Sequence, residues 1–111
     1  VHDQIGSPTY TVDLARHTLD LLRAGASGIF HVANAGRASW CELAAEAIQL
    51  ADLQCHVNAI PSSDYPQKAT RPAFSVLSTA RLAEATQITP RSWTLGLRDY
   101  LFDLMEHEHL G

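Results

Sequence analysis

Apolar residues Val12, Leu14, Ala15, Leu19, Leu21 and Leu22 form a broad stripe, which predicts a helix from about Thr11 to Ala24. Ser7-Pro8-Thr9 precedes it as a rigid turn with Thr9 placed to cap, and Asp13 falls in the first turn, where the helix dipole favours an acid. Gly25 and Gly28 punctuate its exit. The period then changes. Ile29-Phe30-His31-Val32-Ala33 is short and nearly all apolar, and Asn34-Ala35-Gly36 closes it as a turn. Such a run predicts a strand over Gly28–Ala33 buried on both faces, as in the parallel sheet of an α/β fold.

Ser39-Trp40-Cys41-Glu42 fits the S-x-x-E capping box, and Trp40, Leu43, Ala44, Ala47, Ile48 and Ala51 continue it as one apolar helical face. Cys55 to Ile60 alternates weakly and reads as a second strand. Pro61 to Pro72 is a polar loop with three prolines, long enough to suggest binding rather than simple connection. Phe74 to Leu77 reads as a short extended piece and Ser78 to Ala85 as a short helix. Pro90 breaks the chain before a last helix, on which Leu97, Tyr100, Leu101, Leu104 and Met105 share a face.

The order is therefore α-β-α-β-α-α. Two strands cannot build a sheet covered on both faces, so Gly28–Ala33 is expected to keep an unpaired edge and the chain to be a piece of a larger protein. The 111 residues suffice for one domain, and 46% hydrophobic against 18% charged composition is that of a globular chain. The net charge is −4, and the basic residues, Lys68 among them, are scattered, which argues against a nucleic-acid partner. No apolar run approaches the roughly 18–20 residues of a membrane span, so no membrane partner is expected. Cys41 and Cys55 are too few for a disulfide scaffold; they read as two buried free thiols in a reduced, cytoplasmic compartment.

Candidate chemistry is sparse. Glu106-His107-Glu108-His109 places its histidines at i and i+2, on different helical faces, whereas helical zinc sites use i and i+4. A solvated terminus is the expectation, with no metal. No G-x-S-x-G elbow and no G-x-G-x-x-G loop occurs, so no cofactor-binding residue is assigned. Tyr65-Pro66-Gln67-Lys68 falls one residue short of a Tyr-x-x-x-Lys pair, and no catalytic residue is assigned. Asp3-Gln4-Ile5-Gly6-Ser7-Pro8-Thr9 reads either as a loop entering a helix or as a ligand-facing loop, with Gln4 and Thr9 offering hydrogen bonds. Arg71-Pro72 poses the same choice, between a surface cation and a guanidinium fork for a phosphate.

Taken in order, Asp3-Gln4-Ile5-Gly6-Ser7-Pro8-Thr9 with Asp13-Leu14-Ala15, then Gly28-Ile29-Phe30-His31-Val32-Ala33-Asn34-x-Gly36, form a recognisable series. Ser39-Trp40, Arg71-Pro72 with Ser75-x-Leu77, and Trp93 leading into the last helix complete it. The series resembles the C-terminal third of the dTDP-4-dehydrorhamnose reductases, extended short-chain dehydrogenases/reductases. Cys41 departs from the aromatic residue usual after this Trp, which alters packing more than chemistry.

The resemblance implies an α/β fold: the C-terminal fragment of a Rossmann-like protein, with helices and a few short, mainly parallel strands. Residues 1–111 would form a single nucleotide-sugar-binding lobe. Gln4, Gly6, Pro8 and Thr9 would run along the pocket for a dTDP-sugar, with Arg71 and Pro72 toward its diphosphate. The parent enzymes reduce a 4-keto group with NADPH, or alternatively NADH, to give dTDP-L-rhamnose. Their Gly-rich cofactor loop and Tyr-x-x-x-Lys pair would lie upstream of Val1, so catalysis by these residues alone is not expected. A homo-oligomer through the exposed strand edge is expected in either case, and the alternative function is a non-catalytic interaction or oligomerisation module.

Overall fold

The computed structural model describes residues 1–65, 69 and 71–110, with side chains described through Glu106. Pro66-Gln67-Lys68 and the imidazoles of His107 and His109 lie outside the described residues. In chain order the elements are β1 (Ile5–Gly6), α1 (Thr11–Arg23), β2 (Ala38–Ser39), α2 (Trp40–Leu50), a single 3-10 turn (Ser62–Asp64), α3 (Ala80–Thr86) and α4 (Trp93–Leu110). The fold is α/β.

Helix α1 ends in a Schellman motif. The Gly25 and Ala26 amides donate to the carbonyls of Leu22 and Leu21, each at 3.1 Å, and Gly25 takes φ +69°, which suits a residue without a Cβ. The other end departs from expectation. Tyr10, not Thr9, is the N-cap, and its side chain makes no capping bond. The Thr9 hydroxyl is committed elsewhere, donating to the Ser7 carbonyl at 3.0 Å and accepting from the Asn34 amide at 3.2 Å.

The buried line of α1 is also not the apolar one. Asp13 and His17, one helical turn apart, are buried, while Val12, Leu14, Leu19 and Leu22 are exposed. Asp13 can turn inward because a cation and an amide meet it there, which offsets the cost of burying a carboxylate. No described element covers the apolar stripe. In α2 the capping box is present in both halves: Glu42 N–H donates to Ser39 Oγ at 3.1 Å and Ser39 N–H to Glu42 Oε1 at 3.0 Å.

Extended pairing is shorter than the apolar runs suggest. β1 and β2 pair antiparallel, with Ile5 opposite Ser39 and Gly6 opposite Ala38. Among the described residues, parallel geometry appears only at two isolated bridges, Ile5 with Phe74 and Ala35 with Ser92. Gly28–Ala33 and Cys55–Ile60 are not strands. An apolar run becomes a strand only when a neighbour supplies the ladder; among the described residues Gly28–Ala33 has no backbone partner, and Cys55–Ile60 has a single one, the His2 amide donating to the Ile60 carbonyl at 2.8 Å. Gly28–Ala33 therefore provides no strand edge in the sheet of the described residues. Cys55 is exposed and Cys41 half-buried, so the two thiols are free but not buried.

The apolar core of the described residues is small: Ala33, Ala38 and the fully buried Leu82. It is extended by buried polar groups, namely Gln4, Asp13, His17, Asn34 and Ser39. None of the described helices is long and apolar enough to cross a membrane.

Candidate functional site

Ile5 positions the site by pairing on both sides. Besides its partner in β2, its amide donates to the Ala73 carbonyl and its carbonyl accepts from the Ser75 amide, both at 2.8 Å. The loop from Gln4 to Pro8 is thereby fixed between the start of α2 and the segment that follows Arg71-Pro72. Gly6 allows the close approach, since a Cβ there would lie 3.2 Å from Ser75 Oγ. Ser7 secures the loop from the other side, donating through its hydroxyl to the Gly36 carbonyl at 2.8 Å.

Between these segments lies a cavity of about 380 Å³. Gln4, Gly6 and Pro8 line one side, Arg71 and Pro72 another, and Ser39 and Trp40 the start of α2. Five of the six residues singled out from the sequence thus meet at one cavity. Thr9 does not. It borders a second cavity of about 320 Å³ with Tyr10, Trp93 and Tyr100, and its hydroxyl holds the turn into α1 as described above.

The polar groups of the cavity differ in how far they are satisfied. Gln4 Nε2 donates to Ser62 Oγ at 3.2 Å, whereas the buried Gln4 Oε1 meets no hydrogen-bond donor among the described residues. Ser62 is in turn clamped by Asp3: its backbone N–H donates to Oδ1 and Oδ2 at 2.8 and 3.0 Å, and its hydroxyl donates to Oδ1. These bonds, the side-chain one foremost, hold the Asp3 carboxyl below its ordinary value. Arg71 is exposed and forms no ion pair with a described residue. An exposed guanidinium at a cavity rim is a donor set for a diphosphate.

Sequence reasoning missed the network behind the loop. Arg91 forks onto Asp13, with Nε to Oδ2 at 2.9 Å and Nη2 to Oδ1 at 3.0 Å, and its Nη1 reaches Asp99 Oδ2 at 2.7 Å. Asn34 donates to Asp13 Oδ2 at 2.9 Å, and its Oδ1 accepts the Tyr10 amide at 2.9 Å. Burial pushes the Asp13 carboxyl up, but the bonds from Arg91 and Asn34 and the Arg91 charge outweigh it, leaving the carboxyl below its ordinary value. Hydrogen bonds to Asp13 and Asp99 raise Arg91 well above the usual arginine value. The Tyr10 hydroxyl donates to Asp103, which pushes its pKa up to about 12. The available signal was an acid beside an apolar helical stripe, which demands a cation if it turns inward.

Among the described residues, neither Gly25 nor Gly36 takes the place of a dinucleotide-cradle glycine. That cradle needs a Gly-rich turn from a strand into a helix N-terminus, but Gly25 ends α1 and Gly36 packs where a Cβ would meet the Trp93 ring at 3.1 Å. No cluster of metal-ligating side chains occurs among the described residues.

The model of the RmlD substrate binding domain matches residues 1–106. The spore coat polysaccharide biosynthesis protein SpsK of Bacillus subtilis is 44% identical over 101 residues, which are 91% of this chain and 35% of that protein. Two solved dTDP-4-dehydrorhamnose reductases are similar in structure. That of Bacillus anthracis, in complex with NADP, gives a TM-score of 0.87 at 30% identity over 92% of this chain and 36% of its own. That of Clostridium acetobutylicum gives 0.86 at 38% identity, over 96% and 38%. The chain thus spans about a third of the length of these relatives. With most of its length matched, and with the loop and Arg-Pro segment that carried the resemblance meeting at one cavity, the chain belongs to the RmlD substrate-binding-domain family.

Proposed function

We propose that residues 1–111 form a single nucleotide-sugar-binding lobe of an NADPH-dependent reductase that converts dTDP-4-dehydro-L-rhamnose to dTDP-L-rhamnose. The observation that carries this reading is the cavity where the Gln4–Pro8 loop faces Arg71 and Pro72. A sugar ring and its diphosphate need hydrogen-bonding groups and a cation within one recess, and this cavity supplies both. Arg71 takes the diphosphate and the Gln4–Pro8 loop takes the glycosyl or nucleoside part. The hydride donor, NADPH or alternatively NADH, is held outside these residues, and the chain alone performs no reduction. Free thiols at Cys41 and Cys55 support a reducing, cytoplasmic setting, and the net charge of −4 supports a partner other than nucleic acid.

Titration of the chain with dTDP-L-rhamnose, followed by the fluorescence of Trp40 at the cavity, tests the reading. Saturable quenching is expected. No change up to millimolar ligand overturns it.

The exposed apolar residues favour a second reading, an interaction module. Leu22 is 69% and Ile29 77% exposed, and apolar surface of this kind marks a contact with another chain or domain. A homo-oligomer by sedimentation equilibrium would support self-association through these side chains; a 12.1 kDa species across the micromolar range would exclude it.

A further inference from the structure

The amide of Gln4 has only one consistent orientation, and the reason lies two residues away from the cavity. Ser62 Oγ carries a single hydrogen, which it gives to Asp3 Oδ1. With that hydrogen committed, Ser62 Oγ can only accept from Gln4, so the Gln4 NH2 must face Ser62. The carbonyl end is left over. Oε1 belongs to a residue only 8% exposed, has no donor among the described residues, and sits on a residue that lines the cavity. A buried acceptor without a donor is costly, and a group entering the cavity is placed to relieve the cost. Oε1 is itself shielded, so reaching it from the cavity takes rotation about the outermost side-chain torsion, which is soft in glutamine.

We infer that Gln4 is a specificity-determining residue whose Oε1 accepts a hydrogen bond from a donor group of the ligand, with Asp3 and Ser62 as positioning residues that set the direction of its amide. This rests on the nucleotide-sugar reading above. The shared chemistry is an O–H or N–H donor, which a dTDP-sugar carries both on its sugar hydroxyls and at the ring N–H of its base. Asp3 acts as a carboxylate throughout, because both of its oxygens already accept from Ser62.

The test is a binding cycle read by calorimetry. Three probes are used: dTDP-L-rhamnose, the same compound with 3-deazathymine (C–H in place of the ring N–H), and the same compound with a 2,3,4-trideoxy sugar. The wild-type chain is expected to lose about tenfold in affinity for one of the two analogues, the worth of one neutral hydrogen bond, and the analogue affected identifies the source of the donor. In Gln4→Met, which keeps the length but not the acceptor, that tenfold difference disappears. Ser62→Ala removes the acceptor that fixes the Gln4 NH2 and leaves the Gln4 amide free to flip. The preference for the donor is then lost or reversed.

A purely structural role for Gln4 would weaken all three probes by one factor, and that outcome overturns the inference, as does equal wild-type affinity for all three. If Gln4→Met does not fold, Ser62→Ala carries the same comparison alone. Absence of saturable dTDP-L-rhamnose binding by the wild type overturns the nucleotide-sugar reading itself, and the inference with it.

Discussion

Arg91 meets Asp13 as a bidentate fork across the interior, joining the start of α1 to the residues that lead into α4. The acid side chain is 2% exposed and the guanidinium 29%, so the carboxylate depends on Arg91 and Asn34 for what water would otherwise provide. Because Asn34 also accepts the Tyr10 amide, the same cluster fixes the chain just beyond the Gln4–Thr9 loop.

Removing the cation strands the acid. Arg91→Ala is expected to cost on the order of 2–3 kcal/mol, less than a fully buried pair because solvent reaches one side of the guanidinium. Arg91→Lys should recover only part, since an ammonium cannot make both bonds of the fork. Urea denaturation midpoints measure both; a midpoint unchanged in Arg91→Ala would refute the role.

The acid limb of the stability curve follows from Asp13. Its folded value lies below the ordinary carboxylate value, so its contribution is complete above the unfolded value and lost as pH falls through the folded one. Thermal scans below about pH 4 should show the wild type losing stability more steeply than Asp13→Asn, whose pairing does not titrate. Parallel acid limbs would count against this assignment.

Gly96 separates two kinds of glycine cost. An added Cβ would sit 2.7 Å from Asn34 Oδ1 and 3.1 Å from Tyr10 Cβ, so Gly96→Ala should destabilise despite a helix-propensity gain of roughly 1 kcal/mol. Gly25→Ala meets open space but keeps φ +69°, at a cost of about 1–2 kcal/mol. Far-ultraviolet circular dichroism melts should rank Gly96→Ala as the more damaged; a neutral or stabilised Gly96→Ala would show that α4 shifts freely.

Arg71→Ala should leave the melting temperature unchanged and weaken dTDP-L-rhamnose by roughly 1.5–3 kcal/mol, the range of a charge-assisted contact. Arg91 is unsuitable as the control because it holds Asp13. Arg23, exposed in the last turn of α1, is suitable. Equal losses in Arg71→Ala and Arg23→Ala by calorimetry would place Arg71 outside the site.

What could be read from the sequence were features set by neighbouring residues. The Ser39–Glu42 box is closed by groups three residues apart, and Gly25 ends α1 through bonds within one turn. Gly28–Ala33 failed because strand formation depends on a neighbour, which no local run reveals. The same limit hid the site's wiring: Gln4 and Ser62, or Asp13 and Arg91, meet only through tertiary folding. The cap expected of Thr9 failed because its hydroxyl is taken by Ser7 and Asn34, a contact invisible in the order of residues.

The double pairing of Ile5 links assembly of the cavity to the kinetics of folding. Both of its partners are remote in sequence, so the entropy of closing two long loops is spent before either pairing is gained. The cavity is then expected among the last parts to form and the first to open by local unfolding. A ligand that binds only the closed form shifts this equilibrium by mass action. Hydrogen exchange at the Ile5 and Ser75 amides should therefore slow with dTDP-L-rhamnose concentration, while exchange in the first turn of α3 stays as it was. Occupancy would thus be recorded as protection of a backbone clasp rather than as movement of a helix.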